Sequence, residues 1–145
     1  MTEIAFHFNV PDKLLYSCRL LRKAYLSGAS VVVTAEPEVL AQLDQLLWSF
    51  SATEFVPHCR VTAEAGILAT TPVLLAESLT ASPHHGVLVN LGPDIPDQFE
   101  RFERFIEVVT QADDDRFAAR SRWKHYADRG YRMKRHDLAT AGEGA

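Results

Sequence analysis

The residues best suited to chemistry lie toward the C-terminus, in Ala119-Arg120-Ser121-Arg122-Trp123-Lys124-His125-Tyr126. On a helix, Arg116, Arg120, Trp123 and Lys124 stand at i, i+4, i+7 and i+8, and so share one face. That face sets an aromatic platform among cations. Arg120 would hold a carboxylate through two hydrogen bonds, while Trp123 with Val109 or Phe117 would wall in an aromatic side chain. An acidic peptide ending in a hydrophobic residue fits this chemistry. Single-strand binders use the same residue types to stack bases and neutralise phosphates, and that alternative stays open. So does a simple solvated helix face.

The charge distribution sharpens the contrast. Residues 116–135 hold eight basic residues and one acid, +7, against seven bases and eighteen acids, −11, in the remainder. The acidic remainder would repel an extended polyanion, whereas a short acidic peptide needs only the local basic patch.

A second unusual constellation is Leu43-Asp44-Gln45-Leu46-Leu47-Trp48 with Phe55-Val56-Pro57-His58. It puts a large aromatic at a helix end beside an apolar loop containing proline. Trp and Phe bury large areas and often anchor interfaces. On composition alone, closure of the domain core by Trp48 and Phe55 is the stronger expectation.

Other chemistry finds little footing. The segment Phe8-Asn9-Val10-Pro11 has no glycine-rich phosphate cradle, and no serine sits in a nucleophile elbow. Neither His58-Cys59 nor His84-His85 has the spacing of a zinc site. Glu36, Glu38, Asp94 and Asp97 fall at expected helix starts, where capping and the helix dipole account for them. No catalytic residue, cofactor or metal is expected.

The elements that must position these residues read as follows. Ile4-Ala5-Phe6-His7-Phe8 predicts a strand, and Asn9-Val10-Pro11-Asp12 a turn leading into a helix over Lys13–Leu26. In that helix Leu14, Leu15, Cys18, Leu20, Leu21 and Tyr25 recur at helical spacing, and Ser27-Gly28 stops it. The three valines within Ser30–Thr34 predict a strand buried on both faces of a mostly parallel sheet. Glu36-Pro37-Glu38 opens a second helix through Val39, Leu40, Leu43, Leu46 and Leu47. After Ser49–Thr53, the stretch Glu54–His58 reads as a loop or edge segment, with Cys59 in a loop.

Val73–Ala76 and Val87–Asn90 predict strands, with Gly28, Gly66, Gly86 and Gly92 as turns. Phe99, Phe102 and Phe105, three apart, predict a short helix over Gln98–Phe105, followed by a strand over Ile106–Thr110 or a helix continuing through Val109. Asp113-Asp114-Asp115 precedes a basic amphipathic helix over 116–128. The alternation predicts a three-layer α/β fold, a mostly parallel central sheet with helices on both faces.

With 145 residues, 47% of them hydrophobic and 23% charged, the chain suits one globular domain over 1–138, with 139–145 expected to be disordered. No apolar run approaches the roughly 18 residues of a membrane helix, and Met1-Thr2-Glu3 opens no signal peptide. A cytoplasmic protein with reduced Cys18 and Cys59 and no membrane association is expected.

At the two constellations the sequence resembles the chi subunit of bacterial DNA polymerase III. The resemblance runs from Phe6-His7-Phe8 to about Tyr126. It is most specific in Leu43–Trp48 followed by Phe55-Val56-Pro57-His58, and matches again at Ala119-Arg120, Arg122-Trp123-Lys124 and Tyr126. It implies a mononucleotide-binding-like topology without a phosphate loop, and a non-catalytic subunit that pairs with psi, which tethers it to the clamp loader. It further implies a contact with the acidic C-terminal peptide of single-stranded DNA-binding protein, whose last residues include aspartates and a terminal phenylalanine. DNA would be met mostly indirectly. By position, the peptide site would centre on Arg120, with Trp123 where the family commonly has another aromatic, Lys124 adding charge, and Arg116 and Val109 beside them. The psi surface would centre on Trp48, Phe55, Val56 and Pro57. Beyond Tyr126 no family pattern is carried over. Direct binding of single-stranded nucleic acid is the alternative function, and a degenerate nucleotide-using enzyme a further one.

Overall fold

Alternating burial is the rule along the first strand, β1 (Glu3–Val10), where Ile4, Phe6 and Val10 are buried. The computed structural model describes residues 1–49, 55–80 and 82–139. After β1 come α1 (Lys13–Leu26), β2 (Val31–Thr34), α2 (Pro37–Ser49), β3 (His58–Arg60) and α3 (Ala65–Thr70). Then follow β4 (Val73–Ala76), β5 (Val87–Asn90), a 3₁₀ turn at Phe99–Arg101, β6 (Arg104–Thr110), α4 (Asp113–Asp128) and β7 (Met133–Asp137). The strands form one sheet in the order β3-β4-β2-β5-β6-β1-β7, every neighbouring pair parallel.

The helices divide between the faces as the side-chain period of two requires. Val31, Val33, Ile106 and Val108 point to the layer holding α1 and α2. Val32, Phe105 and Val109 point to the opposite layer, where α3 and α4 contribute Leu68, Ala119 and Tyr126. The three-layer fold expected from the sequence is therefore present, with a sheet that is wholly parallel. Strands β2, β4 and β5 are buried along their full lengths, which is why they read as unbroken apolar runs.

The first helix coincides with the expected span. The Asp12 side chain accepts a hydrogen bond from the Leu15 amide at its start, and at its end Gly28 takes φ +87°, a conformation that favours glycine. The stretch around Pro57 runs into β3, an edge strand, as a loop-or-edge segment should.

Several expectations fail. The helix over Gln98–Phe105 reduces to the 3₁₀ turn and Phe105 already lies in β6, which contains the strand expected over Ile106–Thr110 rather than the competing helix through Val109. Phe99, Phe102 and Phe105 are all buried, so their spacing records three approaches to one core rather than a helical stripe. Arg104–Thr110 instead obeys the strand period, with Phe105, Glu107 and Val109 toward α4. Cys59 stands in β3, not in a loop, and Gly66 is within α3 rather than a turn. Neither α3 nor β7 was anticipated. The tail expected to be disordered lies, from residue 140 on, outside the described residues, as do residues 50–54 of the loop after α2. Among the described residues no helix is long and apolar enough to cross a membrane.

His7 on β1 contacts the Tyr16 hydroxyl through Nδ1 and packs against His136 of β7 at 4.9 Å between ring centroids. Burial first, then the charges of His136, Arg104 and Lys23, holds its pKa down from 6.5 to about 4. The fold thus favours the neutral ring, while the unfolded chain takes up a proton below 6.5. Stability is full above that value and falls as pH drops from 6.5 to about 4. Urea midpoints measured across this range should decline in the parent and decline less in His7→Gln. Equal slopes would contradict the assignment.

Candidate functional site

Two anchors fix α4. At its start, Asp115 accepts hydrogen bonds from the Thr110 amide (2.8 Å) and hydroxyl (3.0 Å), and pairs with Lys13 Nζ at 3.0 Å. Asp113, Asp114 and Asp115 fill the first turn, where the helix dipole favours negative charge. Further along, Glu107 of β6 is fully buried. Its Oε2 accepts from Arg122 Nε (3.0 Å) and the Tyr126 hydroxyl (2.7 Å), and its Oε1 accepts from Asn90 Nδ2 (2.9 Å). Arg122 Nη1 donates to the Pro93 carbonyl at 2.7 Å, while Nη2 is buried without a partner among the described residues. Burial pushes the Glu107 carboxyl up, against the pull of the Arg122 charge and the donated hydrogen bonds. Arg122, in the middle of the basic run, is thus spent on the interior.

With Arg122 and Tyr126 turned inward, α4 presents Arg116, Ala119, Arg120 and Trp123 to a groove of about 310 Å³. Val109 and the β1 residues Phe6 and Phe8 line it too, and Arg135 of β7 faces them. Trp123 meets Phe6 edge-on, centroids 5.0 Å apart, and the Arg135 guanidinium lies 5.0 Å from the centre of the Phe8 ring and 5.9 Å from that of Trp123. Arg116 and Arg120 are exposed, and their guanidinium groups have no hydrogen-bond or ion-pair partner among the described residues. An apolar, ring-lined floor rimmed by three guanidinium groups can take a carboxylate and a hydrophobic side chain together.

The structure therefore brings together Arg116, Arg120, Trp123 and Val109. Lys124 stands off the groove, pairing with Asp128 at 3.2 Å on the exposed side of α4, and Phe117 is 73% exposed without lining it. Sequence reasoning missed Phe6, Phe8 and Arg135. The alternation Phe6-His7-Phe8 held a signal, since it places both rings on one face of a strand. Arg135 is invisible until β7 pairs with β1, which sets it opposite Phe6.

The second constellation lies at the other edge of the sheet. Trp48 is 64% exposed and Phe55 49% exposed, their rings stacked at 4.9 Å with an interplanar angle of 30°. They do not close the core, as composition had favoured; Val56 does, being buried, and Pro57 is half-buried. His58 underpins the pair. Its Nε2 meets Asp44 Oδ1 at 2.8 Å, its Nδ1 meets the Val56 carbonyl at 2.7 Å, and its ring abuts Trp48 at 5.2 Å. Both partners are oxygen atoms, so each ring nitrogen of His58 is held from its own side. Both ring nitrogens are thereby occupied, and the described residues hold no cluster of three or more His, Cys, Asp or Glu side chains that could bind a metal.

Residues 1–134 match the protein family described as DNA polymerase III chi subunit, HolC. The DNA polymerase III subunit chi of Pseudomonas aeruginosa is 32% identical over 144 residues, which cover 95% of this chain and 98% of that protein. The chain is 29% identical to the subunit chi of Haemophilus influenzae over 118 residues, covering 81% of each. It is likewise 29% identical to that of Escherichia coli over 118 residues, covering 80% of this chain and 79% of the relative. By the extent of the match and the fold that carries it, the chain belongs to the DNA polymerase III chi subunit family.

Proposed function

We propose that the protein acts as a non-catalytic, cytoplasmic bridge in DNA replication. The Trp48–Phe55 surface holds psi, and through it the clamp loader, while the α4 groove holds the acidic C-terminal peptide of single-stranded DNA-binding protein. The observation that carries this reading is the placement of two partnerless aromatic surfaces at opposite edges of one seven-stranded sheet. Phe55 leads into β3 at one edge of the sheet, whereas the groove spans β6, β1 and β7 at the other, with β4, β2 and β5 between them, which leaves room for two partners at once. Each surface also has the chemistry of its partner: stacked exposed rings for a protein interface, and unpaired guanidinium groups over an apolar floor for an acidic peptide with a terminal phenylalanine.

Calorimetric titration of the intact chain with an acidic peptide ending in Asp-Ile-Pro-Phe, beside the same peptide without its phenylalanine, tests the groove. Micromolar binding lost on truncation is expected. No binding to either peptide, or tighter binding to a plain oligonucleotide with a steep salt dependence, would remove this arm of the proposal. For the other surface, Trp48→Ala should weaken association with psi by on the order of 1–2 kcal/mol. Because Trp48 is mostly exposed, thermal unfolding of the isolated variant should change little. An unaltered affinity would move the psi contact elsewhere.

A further inference from the structure

The α1 face of the sheet carries a second cationic surface. Helix α1 contains Lys13, Arg19, Arg22 and Lys23 and no acid. It leans toward α2, β2 and β6, and among the described residues no helix of that layer packs closely on the side of β7 that presents Lys134 and His136. Two hollows result, of about 510 and 360 Å³, which share His7, Leu20 and Lys23 and so form one trough along the helix. It runs from Asp12 and Leu15 to Ser27 on the α1 side, the length of a 14-residue helix or about 21 Å.

The floor of the trough is apolar, built by Leu15, Leu20, Ala24, Ala5 and Leu138. Arg19 and Lys23 line one wall, and Lys134 and Arg104 the other. None of these four side chains has a hydrogen-bond or ion-pair partner among the described residues. The acids that line the trough, Asp12 and Glu3, lie at its two ends, and the Asp12 carboxylate is engaged by the Leu15 amide. Charges near His7, namely His136, Arg104 and Lys23, all act on it in the same positive sense.

We propose that this trough is a third docking surface, which takes an amphipathic acidic segment of a partner protein, apolar side chains on the floor and carboxylates against the two basic walls. Charge complementarity selects the sign of the occupant. The floor selects its class: it is mainly aliphatic, and its rings, His7, Tyr16 and His136, are half-buried and packed on one another rather than set out along the trough as a platform for successive bases. The length suits a helix of about four turns. This surface is separate from the α4 groove, since Phe6 and Phe8 face one side of β1 and His7 the other.

The test uses the intact chain and a fluorescein-labelled synthetic helix of Glu and Leu at amphipathic spacing, about 14 residues long, followed by anisotropy. The double variant Arg19→Glu/Lys23→Glu should bind it at least about tenfold more weakly, and Lys134→Glu, on the opposite wall, several-fold more weakly. All three positions are exposed, so circular dichroism should report an unchanged fold. Arg120→Ala should leave this affinity unchanged, and the α1 variants should still bind the peptide ending in Asp-Ile-Pro-Phe as the parent does. Loss of the synthetic helix in Arg120→Ala alone, no effect of either wall, or displacement of the helix by an oligothymidine would overturn the proposal.

Discussion

Glu107→Ala is expected to lower the unfolding free energy by about 3–5 kcal/mol, the largest effect of any single substitution considered. The carboxylate is fully buried and serves three donors, from Arg122, Tyr126 and Asn90. Removing it leaves the Arg122 charge in the interior with only the Pro93 carbonyl, in a side chain that already has one unsatisfied nitrogen. In a chain of this size the melting temperature should fall by about 10–20 °C. Glu107→Gln, which keeps the shape and a polar end, should lose less. The double variant Glu107→Leu/Arg122→Met should recover much of the loss, since an apolar pair replaces two buried charges at once. If Glu107→Ala melts like the parent, the network does not hold α4 in place.

Arg120→Ala is expected to weaken binding of the acidic peptide by about 1.5–3 kcal/mol, roughly 10- to 150-fold in affinity, while leaving the melting temperature unchanged. The two effects separate because Arg120 is exposed and contributes nothing polar to the fold among the described residues. Arg120→Lys should recover only part of the affinity, since an ammonium supplies charge without the planar fork. Calorimetry on both variants decides the point. Undiminished affinity in a folded Arg120→Ala protein would take the carboxylate out of this groove.

How much of this was legible in the sequence follows from where each residue is held. Strands buried on both faces, such as Val73–Ala76 and Val87–Asn90, announce themselves as short apolar runs because nothing on them faces water. Helix α1 was legible to the residue because its stops are chemical: Asp12 caps one end and Gly28 takes a positive φ at the other. Strand β7 was not, because Lys134, Arg135, His136 and Asp137 carry no apolar alternation; pairing with β1, not local preference, makes it a strand. The same reason hid Arg135 from the site. Helical spacing found Arg116, Arg120 and Trp123, but could not tell that Arg122 turns inward, since that depends on Glu107, fifteen residues away on another element. Spacing also placed Lys124 with the others, where one step around the helix takes it to Asp128 instead.

If the protein holds one partner at the Trp48–Phe55 surface and another at the α4 groove, as proposed, it is also a tether under load. Tension between the two would cross the sheet, pulling along the rungs of the strand ladders and opening them one after another, rather than sliding strands past each other. A chain of ladders in series parts at its shortest member. The ladder joining β3 to β4 has three residue pairs, against five between β1 and β7. For load that enters through Phe55 and β3, the mechanical fuse of such a tether therefore lies between β3 and β4, and the α4 groove would stay shaped after that edge had let go.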